Sequence, residues 1–354
     1  MIKYLGSKRT LVPLIKSVAG RLPVASACDL FAGTTRVGQA LRSLGISVHS
    51  NDLATYSEVL GQAYIVADET LDRERIAAVL AELSALEGRE GYFTEAFCCR
   101  ARFFQPENGA RIDAIRDAID GYALSEVERG VVLTSLLEAA DRVDSTTGLQ
   151  MAYLKAWAPR SYNGLSLRLP EPVAGPAGSV SRLDANVLAP QLDVDLVYID
   201  PPYNQHSFFS NYHVWETLVR WDAPESYGVA NKRVDCRERH SAYNSKRSAP
   251  AAFAELLASI RAPWVVVSVS NEGFHDAGEI AELLSGHGYV GRIDVDSKRY
   301  VGAQIGIYNP SGEKVGTVSR LRNREILLIA GPDRLLVEEV AGAGASAGPA
   351  LSAR

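Results

Sequence analysis

Ala27-Cys28-Asp29-Leu30-Phe31-Ala32-Gly33-Thr34-Thr35 is the stretch that decides how this chain folds. A short apolar run breaks at a glycine turn, and the residues from Arg36 to Leu44 continue with helical character. Ile46 to Ser50 then has the look of a second strand, stopping at Asn51-Asp52. Strand, glycine loop, helix, strand and acid, in that order, open a nucleotide-binding βαβ unit: parallel strands need a crossover, and the glycine turn leaves room for a ligand beside the backbone. Ahead of it, Leu11, Leu14, Ile15, Val18 and Leu22 fall at helical spacing and Pro23 closes the segment.

Beyond Asp68 the pattern changes. Ile76, Val79, Leu80 and Leu83, and later Val131, Val132, Leu136 and Leu137, mark successive amphipathic helices to about Leu154. A Pro/Gly-rich stretch from Pro170 to Gly178 reads as a linker. Val194 to Ile199 is then a continuous apolar strand of the kind buried in a parallel sheet, and it ends on Asp200-Pro201-Pro202-Tyr203. Helix and strand alternate through Phe253–Ile260, Trp264–Ser270 and Ile280–Leu284, before a hairpin of Gln304–Tyr308 with Val315–Ser319 and a last strand at Ile326–Ala330. The pattern predicts an α/β fold: a Rossmann-like sheet with a mainly helical insertion. Residues 1–67 and 177–331 make up the sheet domain, 68–176 the insertion, and the Ala/Gly/Ser-rich 332–354 a tail without fixed structure.

Composition sets limits on function. With 47% hydrophobic and 22% charged residues among 354, the chain has the balance of an ordinary soluble globular protein. No apolar run approaches the roughly 20 residues of a membrane span. Lys3, Lys8, Arg9 and Lys16 interrupt any secretory leader. Cys28, Cys98, Cys99 and Cys236 have no regular spacing, so reduced thiols and a cytoplasmic location are expected. Cys236 and His240 lack the further ligands of a zinc site, and no metal is expected. The net charge of −5 argues against a polyanionic partner, but its distribution does not. Lys3, Lys8, Arg9, Lys16 and Arg21 precede any acid, and Lys232, Arg233, Arg237, Arg239, Lys246 and Arg247 face only Asp235 and Glu238 between Tyr227 and Pro250. Segregated charge can steer a polyanion because screening confines each patch to about 8 Å.

The chemistry concentrates at Asp200-Pro201-Pro202-Tyr203, since ligands of doubly wound sheets bind at the C-terminal ends of the strands. Two prolines remove two N–H donors and leave carbonyl oxygens and the Asp200 carboxylate as acceptors. A ligand with two N–H bonds fits such a site, and Tyr203 offers a face on which a planar base can stack, so an exocyclic amino group of a nucleobase meets both demands. The glycine loop lacks the full Gly-x-Gly-x-x-Gly fingerprint, and there is no Gly-Lys-Ser/Thr phosphate loop. Asp52, about twenty residues on, can accept ribose hydroxyls. A nucleoside cofactor without a pyrophosphate is indicated.

In these motifs and their order the chain resembles the Dam-like, class alpha DNA adenine N6 amino-methyltransferases, through Gly331. Tyr4-Leu5-Gly6-Ser7-Lys8 is similar to the family's N-terminal cofactor motif, Asp29 to Thr34 (with Phe31, Ala32 and Gly33) to its glycine loop, Asp52 to its ribose-binding acid, and Asp184 to the residue near the cofactor adenine. Asp200, Pro201, Pro202 and Tyr203 match the catalytic motif. The resemblance implies S-adenosylmethionine as cofactor and direct methyl transfer to N6 of an adenine flipped out of double-stranded DNA. It also implies target recognition by the inserted segment and a possible companion restriction endonuclease. Tyr4 and Lys8 are expected at the cofactor carboxylate, and Lys232, Arg233, Arg237, Lys246 and Arg299 at DNA phosphates. Trp215, Leu218 and Trp221, at helical spacing, are expected in the core. An N4-cytosine methyltransferase needs the same amino geometry and stays open, as do a protein-glutamine methyltransferase and a catalytically silent DNA-binding module.

Overall fold

The computed structural model describes all residues except 7, 152, 155, 203–204, 206, 272, 275, 299–306, 309–313, 317–321 and 352–354. Its strands are β1 (Ser26–Asp29), β2 (Ser47–Asn51), β3 (Ser179–Ser181), β4 (Leu196–Ile199), β5 (Ser226–Tyr227), β6 (Lys232–Arg233), β7 (Trp264–Ser270), β8 (Tyr289–Lys298), β9 (Ile307–Tyr308), β10 (Lys314–Gly316) and β11 (Arg322–Gly331). Seven of them form one sheet in the order β3-β2-β1-β4-β7-β11-β8. The pairs β2–β3, β1–β4 and β4–β7 are parallel, and β11 runs antiparallel to both β7 and β8. This is the expected α/β, Rossmann-like class, with a hairpin-type edge closing a parallel sheet. β9 and β10 pair antiparallel, as the sequence predicts for a hairpin there.

The chain divides into two compact units. The first comprises 1–7, 32–184 and 206–241. Its core joins Tyr56, Val59 and Leu60 to Ile76, Leu80, Leu83, Phe93, Phe97, Ile112, Ile115, Leu133, Leu136 and Leu137, and on to Tyr212, Trp215 and Leu218. The helical stretch from 68 is therefore not a body of its own; it shares its core with the residues after β2 and with the helix His213–Arg220. The helix Glu126–Val143 buries residues around most of its circumference, which places it at the centre of the unit. Its start is fixed by a capping box, Ser125 Oγ accepting from Glu128 N–H while Glu128 accepts from Ser125 N–H. Arg116, 1% exposed, donates to the carbonyls of Leu218 and Val219, satisfying the open C-terminal end of His213–Arg220. Trp215 and Leu218 are buried as expected, while Trp221 ends that helix in a left-handed conformation and donates its indole N–H to Asp117.

The second unit comprises 8–31, 185–205 and 242–354. Every residue of β7 is buried, and its core gathers Cys28, Leu30, Val197, Ile199, Phe253, Leu256, Val265, Val267, Ile280, Leu284, Ile326 and Leu328. β1 is anchored to the start of β4 by Asp195, which accepts from Ala25 N–H, Ser26 N–H and the Ser26 hydroxyl.

One expectation changes here. The segment expected to lack structure forms the helix Arg334–Leu351, with Asp333 accepting from Leu336 N–H at its start. Val337 and Val340 are buried, and the backbone lies so close to β8 that a Cβ at Gly344 would meet Ile293 and Leu14. The small residues that read as low complexity are what permit that approach. Directly after the Pro/Gly-rich stretch comes β3, a three-residue edge strand that the sequence reading does not mark.

Candidate active site

In the first unit, Gly33 turns the chain at φ +51°, and Thr35 follows at φ +58° before the helix Arg36–Arg42. A left-handed residue is comfortable only as glycine, and here space adds to the demand. A Cβ on Gly33 would sit 3.0 Å from Cε1 of Tyr4. Tyr4 itself stacks on Tyr212, at 4.4 Å, and on Phe208, at 5.3 Å, with its hydroxyl 3.3 Å from that of Tyr56. Burial, with Tyr56 and Asp52 nearby, pushes the Tyr4 phenol well above its ordinary value, so it stays protonated. Tyr4 thus forms the wall behind the glycine loop rather than standing free for a carboxylate. The rings of Tyr56 and Tyr212, which the sequence reading passed over, complete that wall.

Asp52 follows β2 and is bound into the same loop. Its Oδ2 accepts from Gly33 N–H at 2.9 Å and its Oδ1 from Ala54 N–H at 2.9 Å. Burial raises the carboxyl, and these two N–H groups draw it partly back. Each oxygen keeps a further lone pair, so the carboxylate is held in one orientation and can still accept hydroxyl donors. Asp184 lies just beyond β3, beside β2: the Asn51 side chain binds both the N–H and the carbonyl of Leu183. The two acids therefore stand at neighbouring strand ends, an arrangement that suits a ribose and a base edge. Ala32 and Thr34 are buried supports of the turn, and Ala32 N–H donates to Asn51 O.

In the second unit, β1 and β4 run side by side, Asp29 opposite Tyr198, so their C-terminal ends coincide. Asp29 is buried, and Phe31 packs edge-on against Tyr243 at 5.2 Å. Tyr243 is fixed in turn by its hydroxyl donating to Asn186 Oδ1. Asp200 comes directly after β4. The Lys8 ammonium, 6% exposed, lies 3.1 Å from Asp200 Oδ1 and 3.2 Å from Glu325 Oε2, and donates a hydrogen bond to Glu325. Oδ1 of Asp200 is fully buried against the ammonium, yet the side chain as a whole keeps 17% exposure. One oxygen thus faces the ammonium while the rest of the group remains reachable. Burial pushes the Asp200 carboxyl up to about 6, with Lys8 drawing it down and Glu325 adding to the rise. Lys8, expected at a cofactor carboxylate, is instead held by two carboxylates of the protein. Glu325 was not anticipated, because nothing in the local sequence of β11 distinguishes it from surface charge. Pro201 is buried and Pro202 half-buried; Tyr203 lies outside the described residues.

The basic residues separate by environment. Arg233 is a correction: it is 2% exposed and forms a fork with Asp222 at 2.6 and 2.7 Å, with Asp235 accepting from its Nε at 3.1 Å. A guanidinium buried on two carboxylates is a structural tie and has no donors to spare for phosphate. Arg239 is similarly engaged, with Glu216 and the Leu53 carbonyl. Arg237 is exposed and rests 4.0 Å over the Tyr227 ring; Lys246, in the second unit, is exposed, and Lys232 half-buried. Arg299 lies outside the described residues. Among the described residues no cluster suited to a metal ion occurs, and no helix is long and apolar enough to cross a membrane.

A family model for D12 class N6 adenine-specific DNA methyltransferases matches residues 4–268, which include Lys8, Gly33, Asp52, Asp184 and Asp200 but not Glu325. The Type II methyltransferase M.NlaIII of Neisseria lactamica is 30% identical over 84% of this chain and 92% of its own length. The modification methylase StsI of Streptococcus sanguinis is also 30% identical, but the chain spans only 48% of it. M.FokI of Planomicrobium okeanokoites is 31% identical over 81% of this chain and 47% of its own length. The adenine-specific match displaces the N4-cytosine, protein-glutamine and non-catalytic alternatives. Motif order, the sheet and these relatives agree, and the chain belongs to the D12 class of N6 adenine-specific DNA methyltransferases.

Proposed function

We propose that this DNA methyltransferase uses S-adenosylmethionine and that Asp200, with the Pro201 carbonyl, accepts the two N–H bonds of the target adenine's N6. The observation that carries the reading is Asp200 itself: a carboxylate at the end of β4, one oxygen turned inward to Lys8 and the side chain still partly exposed. When bound, the cofactor supplies a methyl group on a cationic sulfur. Asp52 suits its ribose hydroxyls, Gly33 gives the close backbone approach, and Asp184 suits its base; the preorganised Asp52 carboxylate supports that fit. The adenine must leave the duplex, since in the stack its amino group is paired. Two acceptors on N6 hold its lone pair out of ring conjugation and aim it for in-line attack, and fixing that geometry lowers the entropic part of the barrier. Asp200, ionised above about pH 6, is also the nearest named base for the proton that N6 gives up.

We assign DNA-phosphate contacts to Lys232, Arg237, Lys246 and Arg299, and target reading to the helical stretch 68–176. DNA as substrate makes the cytoplasm the expected location. The relatives' names as modification methylases favour a companion restriction endonuclease of the same target. The test is incubation of duplex DNA with methyl-labelled S-adenosylmethionine and analysis of the nucleosides by mass spectrometry. Label in N6-methyldeoxyadenosine is expected, and label elsewhere overturns the reading.

A further inference from the structure

Lys8 is nearly buried and has two carboxylates to serve. It reaches Asp200 from the turn Lys8–Thr10, and Glu325 from β11 meets the same ammonium from another strand. Glu325 sits opposite Ser270 of β7 and Val295 of β8, so its backbone is fixed by neighbours on both sides. Its side chain is 15% exposed, and Lys8 donates a hydrogen bond to it at 3.2 Å while lying 3.1 Å from Asp200 Oδ1. A single ammonium shared by two largely buried carboxylates leaves, among the described residues, one negative charge in excess at this point, which is a cost to folding.

We propose that Glu325 is a positioning residue for methyl transfer: by sharing the Lys8 ammonium it leaves Asp200 only partly compensated in charge, and so a stronger acceptor for the substrate amino group. The inference rests on the reading of Asp200 given above. A carboxylate fully compensated by an ammonium of its own would have less to gain from a weak amino donor. The other ionisable groups around Asp200 do not duplicate this effect. Tyr198, on β4, is buried with its phenol held protonated, and Asp29, at the end of β1, acts on that phenol. Removing Lys8 and removing Glu325 must therefore act on Asp200 in opposite directions, whereas two merely structural contacts would disturb it alike.

The experiment follows the Asp200 carboxyl carbon by ¹³C NMR in the cofactor-free full chain, with Asp200→Asn identifying its signal, alongside single-turnover methylation as a function of pH. Glu325→Gln should move the Asp200 midpoint and the acid limb of the rate profile to lower pH by on the order of one unit. Lys8→Gln should move the midpoint up, and Glu325→Asp should restore most of the wild-type value. An unmoved midpoint in Glu325→Gln, or a shift of the same sign in Glu325→Gln and Lys8→Gln, overturns the proposal. Should Glu325→Gln fail to fold, the upward shift in Lys8→Gln and the near-wild-type midpoint in Glu325→Asp are both still required. Because the NMR midpoint needs no substrate, it separates this proposal from the reading of Asp200, which fails if Asp200→Asn and Asp200→Ala methylate DNA normally.

Discussion

Asp200→Asn should make this protein more stable while serving it poorly as an enzyme. The carboxyl titrates near pH 6 in the folded chain instead of its ordinary 3.8, with burial the main cause. Each tenfold in proton affinity is worth about 1.4 kcal/mol, so keeping Asp200 ionised at neutral pH costs folding on the order of 3 kcal/mol. The folded state holds this proton more tightly than the unfolded chain. The contribution to stability is therefore greatest below about pH 4, declines as the pH rises through the window from 3.8 to about 6, and is lost above it. Asparagine mimics the protonated form, so the variant's advantage over wild type should be near its full value at pH 8 and roughly half of it at pH 5. Urea unfolding of both proteins at the two pH values measures that difference with all other groups cancelling. An equal advantage at both pH values, or a loss of stability at pH 8, would refute the argument that burial of an ionised Asp200 is a cost borne for function.

Gly33→Ala should lower stability by about 1–2 kcal/mol from the left-handed backbone alone and weaken cofactor binding in calorimetry, because the new Cβ presses on Tyr4; unchanged affinity would mean that the loop does not approach the ligand. Asp52→Ala should release Gly33 and Ala54 N–H together and reduce cofactor affinity in the same assay, and an unaltered Kd would remove Asp52 from the site. Arg233→Ala should destabilise the chain by about 1.5–3 kcal/mol, since Asp222 and Asp235 lose a buried partner but keep Arg220, and leave the salt dependence of DNA binding unchanged. Arg237→Ala with Lys246→Ala should instead spare stability and flatten that dependence by roughly two contacts' worth, at about 0.9 in slope each; an unchanged slope would show that neither residue meets phosphate.

Much of the frame is visible in the residues alone. β4 and β7 are apolar runs, β1 and β2 are short segments bounded by turn or acid residues, and the residues just after β2 and β4 are Asp52 and Asp200, as their spacing implies. What escaped has physical reasons. β3 is only Ser179-Val180-Ser181, too short and polar to stand out from its Pro/Gly surroundings. β8 alternates Ile293 and Val295 with Arg292, Asp294 and Asp296, a period-two signal that could have been found. The terminal helix hides its apolar face among alanines and glycines. Arg233 reads as one more base in a charged run; only the fold brings Asp222 and Asp235 around it. The least legible feature is the Lys8 ammonium with its two carboxylates, because Lys8 and Glu325 lie over three hundred residues apart and only the fold unites them.

The account stands most directly on single-turnover methyl transfer by Asp200→Ala, with cofactor affinity measured by calorimetry on the same preparation. On the proposed reading Asp200 meets the substrate's amino group and Asp52 the cofactor. The expected result is therefore affinity within a few-fold of wild type together with a loss of at least about a hundredfold in the rate of transfer, comparable to removing one preorganised electrostatic contact in an active site. A near-normal rate would contradict the central claim outright, and a loss of cofactor binding in parallel with the rate would move Asp200 from the substrate's side of the reaction to the cofactor's.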